Sequence, residues 1–515
     1  MKIDKVLIVD LYTDEPSGLG VSPYIDVYPR YLAGAIWHHK GSSTTVHYVT
    51  ADEFRTVSWL NRANTYDIVF FVGGITVPGR YLDGNPPTPR ELSRWSRLLT
   101  KPLKVLGGPV SRFGTGIKGG EKAYSIRDLE KAGIDVIVTG DLDEYVRDLI
   151  ENGLEKAATW RTRRTYEYVD IYAVKGARIV RMHRRLGHGL TAEIESYRGC
   201  SRWISGGCSF CIEPLYGKPI QRNIKSIVKE IEALYQYGVI DFRLGRQADF
   251  YVIGSPNLGT VEWPEPNPRA IKSLLTGIRN VAPNLRTLHI DNVNPGTIIR
   301  YPTQSIEITK ALVKYHTPGD VAALGIETAD PRVAKINNLN TLPEEAIIAI
   351  ELLNKYGSVR DKDGIPHLLP GVNFVLGLPG ESRDTIELNK MFLQEILDKG
   401  LLIRRVNVRR LMVIPGTRVA NLKPRISGKW AMRQSSFIKW VRDYFDREML
   451  RKVFPPGTIM RDVYVEAHFS GYSLGRPPGS YPPTVKLKGS LPLYSKVDIV
   501  VKDIASPRSL RGKII

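Results

Sequence analysis

Three thiols crowd one short stretch. RGCSRWISGGCSFC, residues 198–211, contains every cysteine of a 515-residue chain: Cys200, Cys208 and Cys211. Thiolates are nucleophiles and soft metal ligands, so three in one loop imply a bridge, a metal or a cluster. A disulfide would leave one thiol over. Structural zinc takes four closed ligands; the sequence offers only His188 of RLGHG as a fourth, and no second C-x-x-C follows. An iron–sulfur cluster usually takes four cysteines, so three would leave one iron open for something else. The tight Cys208-Ser-Phe-Cys211 pair, with Phe210 inside it, ranks the cluster first, zinc second and a disulfide third. His188 reads better as an exposed linker histidine than as a ligand.

Such a loop needs a scaffold. Residues 1–160 alternate strand and helix. KVLIVD, DIVFFVGG, PLKVLGGPV and IDVIVTGD are continuous apolar runs, as parallel strands buried on both faces read. Repeated strand–helix units make a doubly wound, Rossmann-like sheet, which binds ligands at the carboxyl ends of its strands. Each glycine at those ends, taken alone, is better explained as a tight turn.

Residues 161–190 are basic, lack helical periodicity and read as a linker or a small β element. Residues 191–420 alternate again. IKSIVKEIEALYQYG is an amphipathic helix. The runs IDFRLGRQADF, LRTLHIDNVNP, VAALGIETAD, GVNFVLGLPGES and RRVNVRRLMVIPGT, counted with the strand before Cys200, give six βα units. Six parallel units imply a (β/α)6 partial TIM barrel, with its site at the C-terminal ends of the strands. Residues 421–454 read as a helical connector. Residues 455–515, with short strands and Gly and Pro turns, read as a small β-barrel. The expected fold class is α/β in these three parts.

The net charge is +20, and residues 401–515 hold 23 Lys and Arg against 7 Asp and Glu, which is +16 of it. A basic end on a balanced body suggests a bound polyanion, with nucleic acid ahead of an anionic membrane. No apolar run reaches the ~18 residues of a membrane helix. The first residues, MKIDKVLIVD, read as a strand rather than an export signal. Few cysteines and no such signal make the cytoplasm the expected location.

With the cysteines and these motifs in order, residues 190–420 resemble the radical S-adenosylmethionine (radical SAM) enzymes. The resemblance implies a [4Fe–4S] cluster on Cys200, Cys208 and Cys211, whose open iron is chelated by SAM. Reductive cleavage then yields a 5′-deoxyadenosyl radical. The family's usual spacing is C-x3-C-x2-C; this chain has C-x7-C-x2-C. Gly325-Ile326-Glu327-Thr328 resembles the family's fourth strand, Gly377-Leu378-Pro379-Gly380-Glu381 its fifth-strand GxPGE turn, and Pro415-Gly416-Thr417 its sixth-strand PGT. The implied cofactor contacts are Phe210, Gly245, Arg246, Gln247, Asp291, Asn292, Glu327, Thr328, Asn373, Gly377 and Pro415, with Glu327 also counted as catalytic beside the cysteines. RLGRQADF lacks the family's Gly-Gly-Glu, so Gly245, Arg246 and Gln247 are the nearest match. A ferredoxin or flavodoxin is the implied reductant.

The N-terminal part resembles the cobalamin-binding-like domain that precedes many such barrels, through GGPV and VTGDLDEYVRDLI. It lacks the D-x-H-x-x-G motif, so cobalamin is not the favoured expectation, although it could bind without a protein ligand. The C-terminal barrel resembles a TRAM domain, through VYVEAHFSGYSLGR, YPPTVKLKG and KVDIVVKDI. That implies RNA contacts at Tyr472, Arg476, Tyr481, Lys486 and Lys488. No cysteines remain for the second cluster of methylthiotransferases, so that reaction is excluded. The expectation is a radical SAM enzyme that modifies RNA, with tRNA favoured. The alternative is action on a small molecule, lipid or peptide, including cobalamin-assisted methylation. A non-enzymatic RNA-binding protein with a structural zinc or an inert cluster is the third reading.

Overall fold

The computed structural model describes residues 3–12, 23–75, 84–116, 119–124, 130, 132–425 and 428–515. The chain divides into two compact units. One comprises residues 1–194, 220–240 and 412–416, the other residues 195–219, 241–411 and 417–515.

The first unit contains β1 (Lys5–Asp10), β2 (Tyr24–Ile25), β3 (Thr45–Thr50), β4 (Ile68–Val72), β5 (Leu103–Gly107) and β6 (Val136–Ile137). Five of them form a parallel sheet in the order β3-β1-β4-β5-β6. Val6, Leu7, Ile8 and Val9 are all buried, as are Ile68 and Val69 through Val72. Burial on both faces is why these runs show no alternation. The order reverses at β1, so the ligand-binding switch point lies at the carboxyl ends of β1 and β4. Residues 13–22 and 76–83, which follow those strands and include most of LYTDEPSGLGVSP, lie outside the described residues. Gly108 (φ 91°) turns the chain after β5, and a Cβ there would lie 2.5 Å from Gly73 O.

Residues 161–190 are more than a linker. Glu167–Gly176 is a helix packed on the helix Val27–His39. A Cβ on Gly34 would meet Tyr172 O at 2.0 Å, and one on Gly176 would meet Arg30 O at 1.9 Å. Absent side chains make this contact, so the sequence carries no broad apolar stripe to announce it.

β7 (Thr191–Glu195) leads into β8 (Tyr197–Arg198), and β9 (Ile220–Gln221) belongs with the first unit. The second unit then supplies β10 (Asp241–Arg246), β11 (Thr287–Ile290), β12 (Asn292–Val293), β13 (Asp320–Glu327), β14 (Leu368–Leu376) and β15 (Arg405–Arg410). β10 pairs with β11, β12 with β13, β13 with β14 and β14 with β15, all parallel. β11 and β12 are one strand broken at Asp291. The second unit thus supplies five strand positions of the partial barrel: β10, β11–β12, β13, β14 and β15. On one face Leu324, Val372 and Val406 are aligned and fully buried. On the other, Ala323, Gly371 and Arg405 are aligned, as are Gly325, Asn373 and Asn407. A packed TIM-type barrel fills its interior with branched apolar side chains. This inner face is small and polar instead, which suits a bound cofactor and substrate.

Residues 429–453 are helical, with a π-turn at Val441–Asp446. β16 (Ile459–Phe469), β17 (Tyr472–Arg476), β18 (Thr484–Lys488), β19 (Lys496–Ser506) and β20 (Ser509–Ile514) close into a barrel in the order β16-β17-β18-β20-β19. β18 and β20 are parallel and every other pair is antiparallel. This is the connectivity of an OB-type barrel, whose second and third strands form a ligand face. The basic excess at this end is not all on the surface. Arg404, Arg405 and Arg442 turn inward, to Tyr481 O, the Tyr481 ring and Val406 O.

Candidate active site

The long gap between Cys200 and Cys208 is a folded element. Cys200 caps a 3₁₀ turn, Ser201–Ser205. Trp203 N donates to Cys200 O at 2.9 Å, and Gly206 and Gly207, both at positive φ, reverse the chain just before Cys208. Arg202 then fastens the insert. Its Nε pairs with Glu262 at 3.1 Å, and its Nη1 donates to Asn338 O and Asn340 Oδ1, each at 2.8 Å. Its Nη2 reaches Asn338 Oδ1 at 2.9 Å. The far side is held by Ser209, whose N and Oγ donate to Asn337 at 2.9 and 2.7 Å, and by Val419 N, which donates to Ser209 O at 2.8 Å. Arg418 Nη1 donates to Gly207 O at 3.0 Å.

The three thiols are free. Burial pushes Cys200 up to about 12, Cys208 up to about 11 and Cys211 well above the usual thiol range. Cys208 raises both Cys200 and Cys211, and Cys200 also raises Cys211, so the three share one neighbourhood. Arg202 Nη1, 3.6 Å from Cys208 Sγ, opposes that rise. Among the described residues, no three His, Cys, Asp or Glu side chains converge on a site for a single ion. Three soft donors that sense one another without converging fit a cofactor larger than one ion.

Glu327 ends β13 beside this loop and contributes to the raised pKa of Cys208. A register shift separates Gly325 from Glu327, and Glu327 has φ 67°. A Cβ on Gly325 would lie 3.0 Å from Glu327 Oε1, so the carboxylate folds back over the inner face. Left-handed backbone at a non-glycine strand end is strain of the kind held at functional sites.

The other expected contacts divide. Gly245 and Arg246 end β10, and Phe210 is half-buried in the cysteine loop. Gln247 is buried, and its Oε1 accepts from Ser196 Oγ at 3.1 Å. Asn292 Nδ2 donates to Gln247 O at 3.2 Å. Asn373 accepts from Asn407 at 3.3 Å on the inner face. Gly377 N donates to Glu381 Oε2 at 2.8 Å, and burial pushes that carboxyl up to about 7. Thr328 is buried against Asn389, and its Oγ1 accepts from Asp330 N at 3.2 Å, so it serves the turn rather than a ligand. Pro415 is exposed and falls in the first unit. Asp291 is engaged by Tyr481, whose hydroxyl lies 3.0 Å from both carboxylate oxygens. His188 is exposed.

Sequence reasoning missed Tyr197 and Asp249. Tyr197 OH donates to Asp249 O at 2.8 Å and accepts from Asp249 N at 2.7 Å, tying the entry of the cysteine loop to the loop after β10. Asp249 is buried, pushed up to about 6 by burial, and accepts from Thr297 Oγ1 at 2.7 Å and Asn294 N at 3.1 Å. The Asp of GRQADF, just past a strand end, was the available signal.

Two of the five expected RNA contacts are corrected. Tyr481 is 6% exposed inside the central barrel, and Arg476 is turned to Glu466 at 3.4 Å. Neither presents an open stacking or phosphate-binding group. Tyr472, Lys486 and Lys488 share the β17–β18 face.

Residues 194–392 match the sequence profile of the Radical SAM superfamily. The chain belongs to the radical SAM superfamily. It is 42% identical to an uncharacterized protein of Methanocaldococcus jannaschii over 525 residues, covering 100% of this chain and 94% of that one. It is 39% identical to one of Archaeoglobus fulgidus, covering 97% and 88%. Among solved structures it resembles TsrM from Kitasatospora setae, a radical SAM methyltransferase with cobalamin and a [4Fe-4S] cluster bound. That similarity has TM-score 0.51 at 16% identity, covering 81% of this chain and 77% of that one. It also resembles OxsB, a cobalamin-dependent SAM radical enzyme, with TM-score 0.52 at 14% identity over 88% and 56%. A radical SAM enzyme uses a [4Fe–4S] cluster and SAM, and the loop at Cys200, Cys208 and Cys211 has the donors for that cluster. Among the described residues, no helix is long and apolar enough to cross a membrane.

Proposed function

We propose that this radical SAM enzyme modifies RNA, with tRNA the favoured class, taken up on the β17–β18 face. One observation carries the proposal. Tyr472 stacks on Phe469, with centroids 5.1 Å apart and planes at 10°, and Lys486 Nζ lies 3.7 Å over the Tyr472 ring. Phe469 is 49% exposed and Lys488 is exposed beside them. An aromatic platform with cations, running from the end of the first strand onto the second and third strands of an OB-type barrel, suits stacked bases and a phosphate backbone.

Cys200, Cys208 and Cys211 hold the cluster, which with SAM supplies one-electron cleavage of a sulfonium carbon–sulfur bond. The electron comes from a low-potential protein of the ferredoxin or flavodoxin type. Arg202 fixes the loop, and Glu327 is placed to favour the sulfonium cation or hold a ribose hydroxyl. The polar inner face of β13–β15 suits a polar substrate.

The test is tRNA binding by fluorescence anisotropy across a salt series. Affinity should fall with salt as phosphate contacts predict. Tyr472→Ala should weaken it by about 5- to 150-fold, the range of one base-stacking contact. Salt-independent or absent binding would contradict the reading and favour a small molecule, lipid or peptide.

A second reading, cobalamin-assisted methylation, has one observation in its favour. The first unit has a switch point at β1 and β4, and at its edge Tyr12 has φ 64°. TsrM and OxsB, which share the fold, both bind cobalamin. Equilibrium dialysis with hydroxocobalamin tests it. Retention at one equivalent supports the reading, and no retention removes it.

A further inference from the structure

Tyr481 lies on the loop joining β17 to β18, Pro477-Pro478-Gly479-Ser480-Tyr481-Pro482-Pro483, which four prolines stiffen. The loop enters the partial barrel at the N-terminal ends of its strands. Ser480 N donates to His289 Nδ1 at 2.9 Å, and Arg404 Nη2 donates to Tyr481 O at 2.6 Å. A Cβ on Gly479 (φ 121°) would lie 2.8 Å from His289 Cε1, so glycine is needed for this approach. Tyr481 itself has φ 52°, a left-handed value unusual for an aromatic residue. Its hydroxyl is 3.0 Å from both Asp291 oxygens and accepts from Arg243 Nη1 at 3.3 Å. The Arg405 guanidinium lies 3.5 Å over its ring.

Asp291 is the residue that breaks β11 from β12. Its neighbour Asn292 donates to Gln247 O at 3.2 Å, and Gln247 accepts from Ser196 at 3.1 Å, one residue before Tyr197. A continuous run of bonds therefore joins Tyr481 to the loop after β10 and to the entry of the cysteine loop. We propose that Tyr481 is a positioning residue for SAM binding: by fixing Asp291 it sets the backbone of residues 245–249. The C-terminal barrel is then part of the catalytic unit as well as a carrier of the substrate face. The proposal rests on radical SAM membership and does not require RNA as substrate.

Tyr481→Phe deletes the hydroxyl and keeps the ring beneath Arg405. In the reconstituted full chain without SAM, amide exchange over 245–249 and 290–294 should quicken several-fold, while Tm and iron content stay at wild type. KM for SAM should rise about tenfold, the scale of one charge-assisted hydrogen bond, with kcat within about threefold. Adding Tyr481→Phe to Asn292→Ala should cost nothing further, because both cut the same run of bonds. Unchanged exchange and KM would overturn the proposal. So would strict additivity, or a joint fall in Tm and iron content, which marks a plug with a structural role alone. Titration of the same samples with tRNA separates the two readings: no tRNA binding with a raised KM defeats the RNA reading and sustains this one.

Discussion

Arg202 clamps the cysteine loop to the segment after β13. Its Nη1 donates to Asn340 Oδ1 at 2.8 Å and stands 3.6 Å from Cys208 Sγ. The departure from the family's cysteine spacing is thereby explained. The four extra residues carry their own anchor, so the second and third thiols keep a defined place relative to the first. Arg202→Ala removes a buried cation with several charge-assisted bonds and leaves Glu262 without it, a loss of about 3 kcal/mol or more. The variant should bind less iron on anaerobic reconstitution and melt earlier. Arg202→Lys, with a compact ammonium in place of a planar fork, should fall between the two. Full iron loading of Arg202→Ala would show that the loop needs no clamp.

Glu327 should divide charge from strain. Glu327→Gln keeps the shape and removes the charge; SAM affinity should drop about tenfold with iron content unchanged. Glu327→Gly relieves the φ 67° backbone, so it should raise Tm, by the ~1 kcal/mol scale of such strain, while losing the same SAM affinity. Isothermal titration with SAM and thermal melts read both. Equal SAM binding in Glu327→Gln would remove Glu327 from the site.

Asp10 gives a pH signature. It is 1% exposed, and burial pushes its carboxyl from 3.8 up to about 7. The unfolded chain releases this proton near pH 4, whereas the folded chain keeps it to about pH 7. Stability from the protonated form is therefore full below pH 4 and is lost as pH rises towards 7. The difference corresponds to at most ~4 kcal/mol. Asp10→Asn mimics the protonated acid: Oδ1 can accept from Tyr12 N, and the amide can donate to the Tyr48 hydroxyl. The variant should melt higher than wild type at pH 8 and alike at pH 4. A lower melting point at pH 8 would contradict the burial argument.

His289 should make the loop 477–483 pH-sensitive. Its Nδ1 accepts from Ser480 N, so the proton sits on Nε2, 3.2 Å from Pro318 O. Burial lowers its pKa, against the opposing pull of Asp320, and nearby His316 lowers it further. The contact is full above the ordinary value of 6.5 and weakens as pH falls through the lowered pKa. Exchange of the Ser480 amide, corrected for intrinsic rate, should quicken only as pH falls below 6.5. A flat profile would show that the loop is held without His289.

Much of this was legible in the chain. The cysteine stretch, the GIET and GLPGE turns and the apolar strand runs are local patterns, and they led to the fold class and to the loop that suits a cluster. Three things were not. RRVNVRR alternates arginine or asparagine with valine, which marks a strand with a polar inner face; its arginines were counted as surface charge because composition carries no direction. Tyr481 was read as a surface aromatic because its partner Asp291 is 190 residues away. The helix Glu167–Gly176 was hidden because its closest contact is backbone against backbone at glycine, which leaves no apolar period.

The most direct measurement is made anaerobically on chain reconstituted with iron and sulfide. The EPR spectrum is recorded after dithionite and again with SAM, and 5′-deoxyadenosine is assayed with and without bulk tRNA. The account predicts a reduced-cluster signal that SAM perturbs, and deoxyadenosine formation raised by tRNA. A cluster that SAM leaves unperturbed, or cleavage indifferent to tRNA, would contradict it.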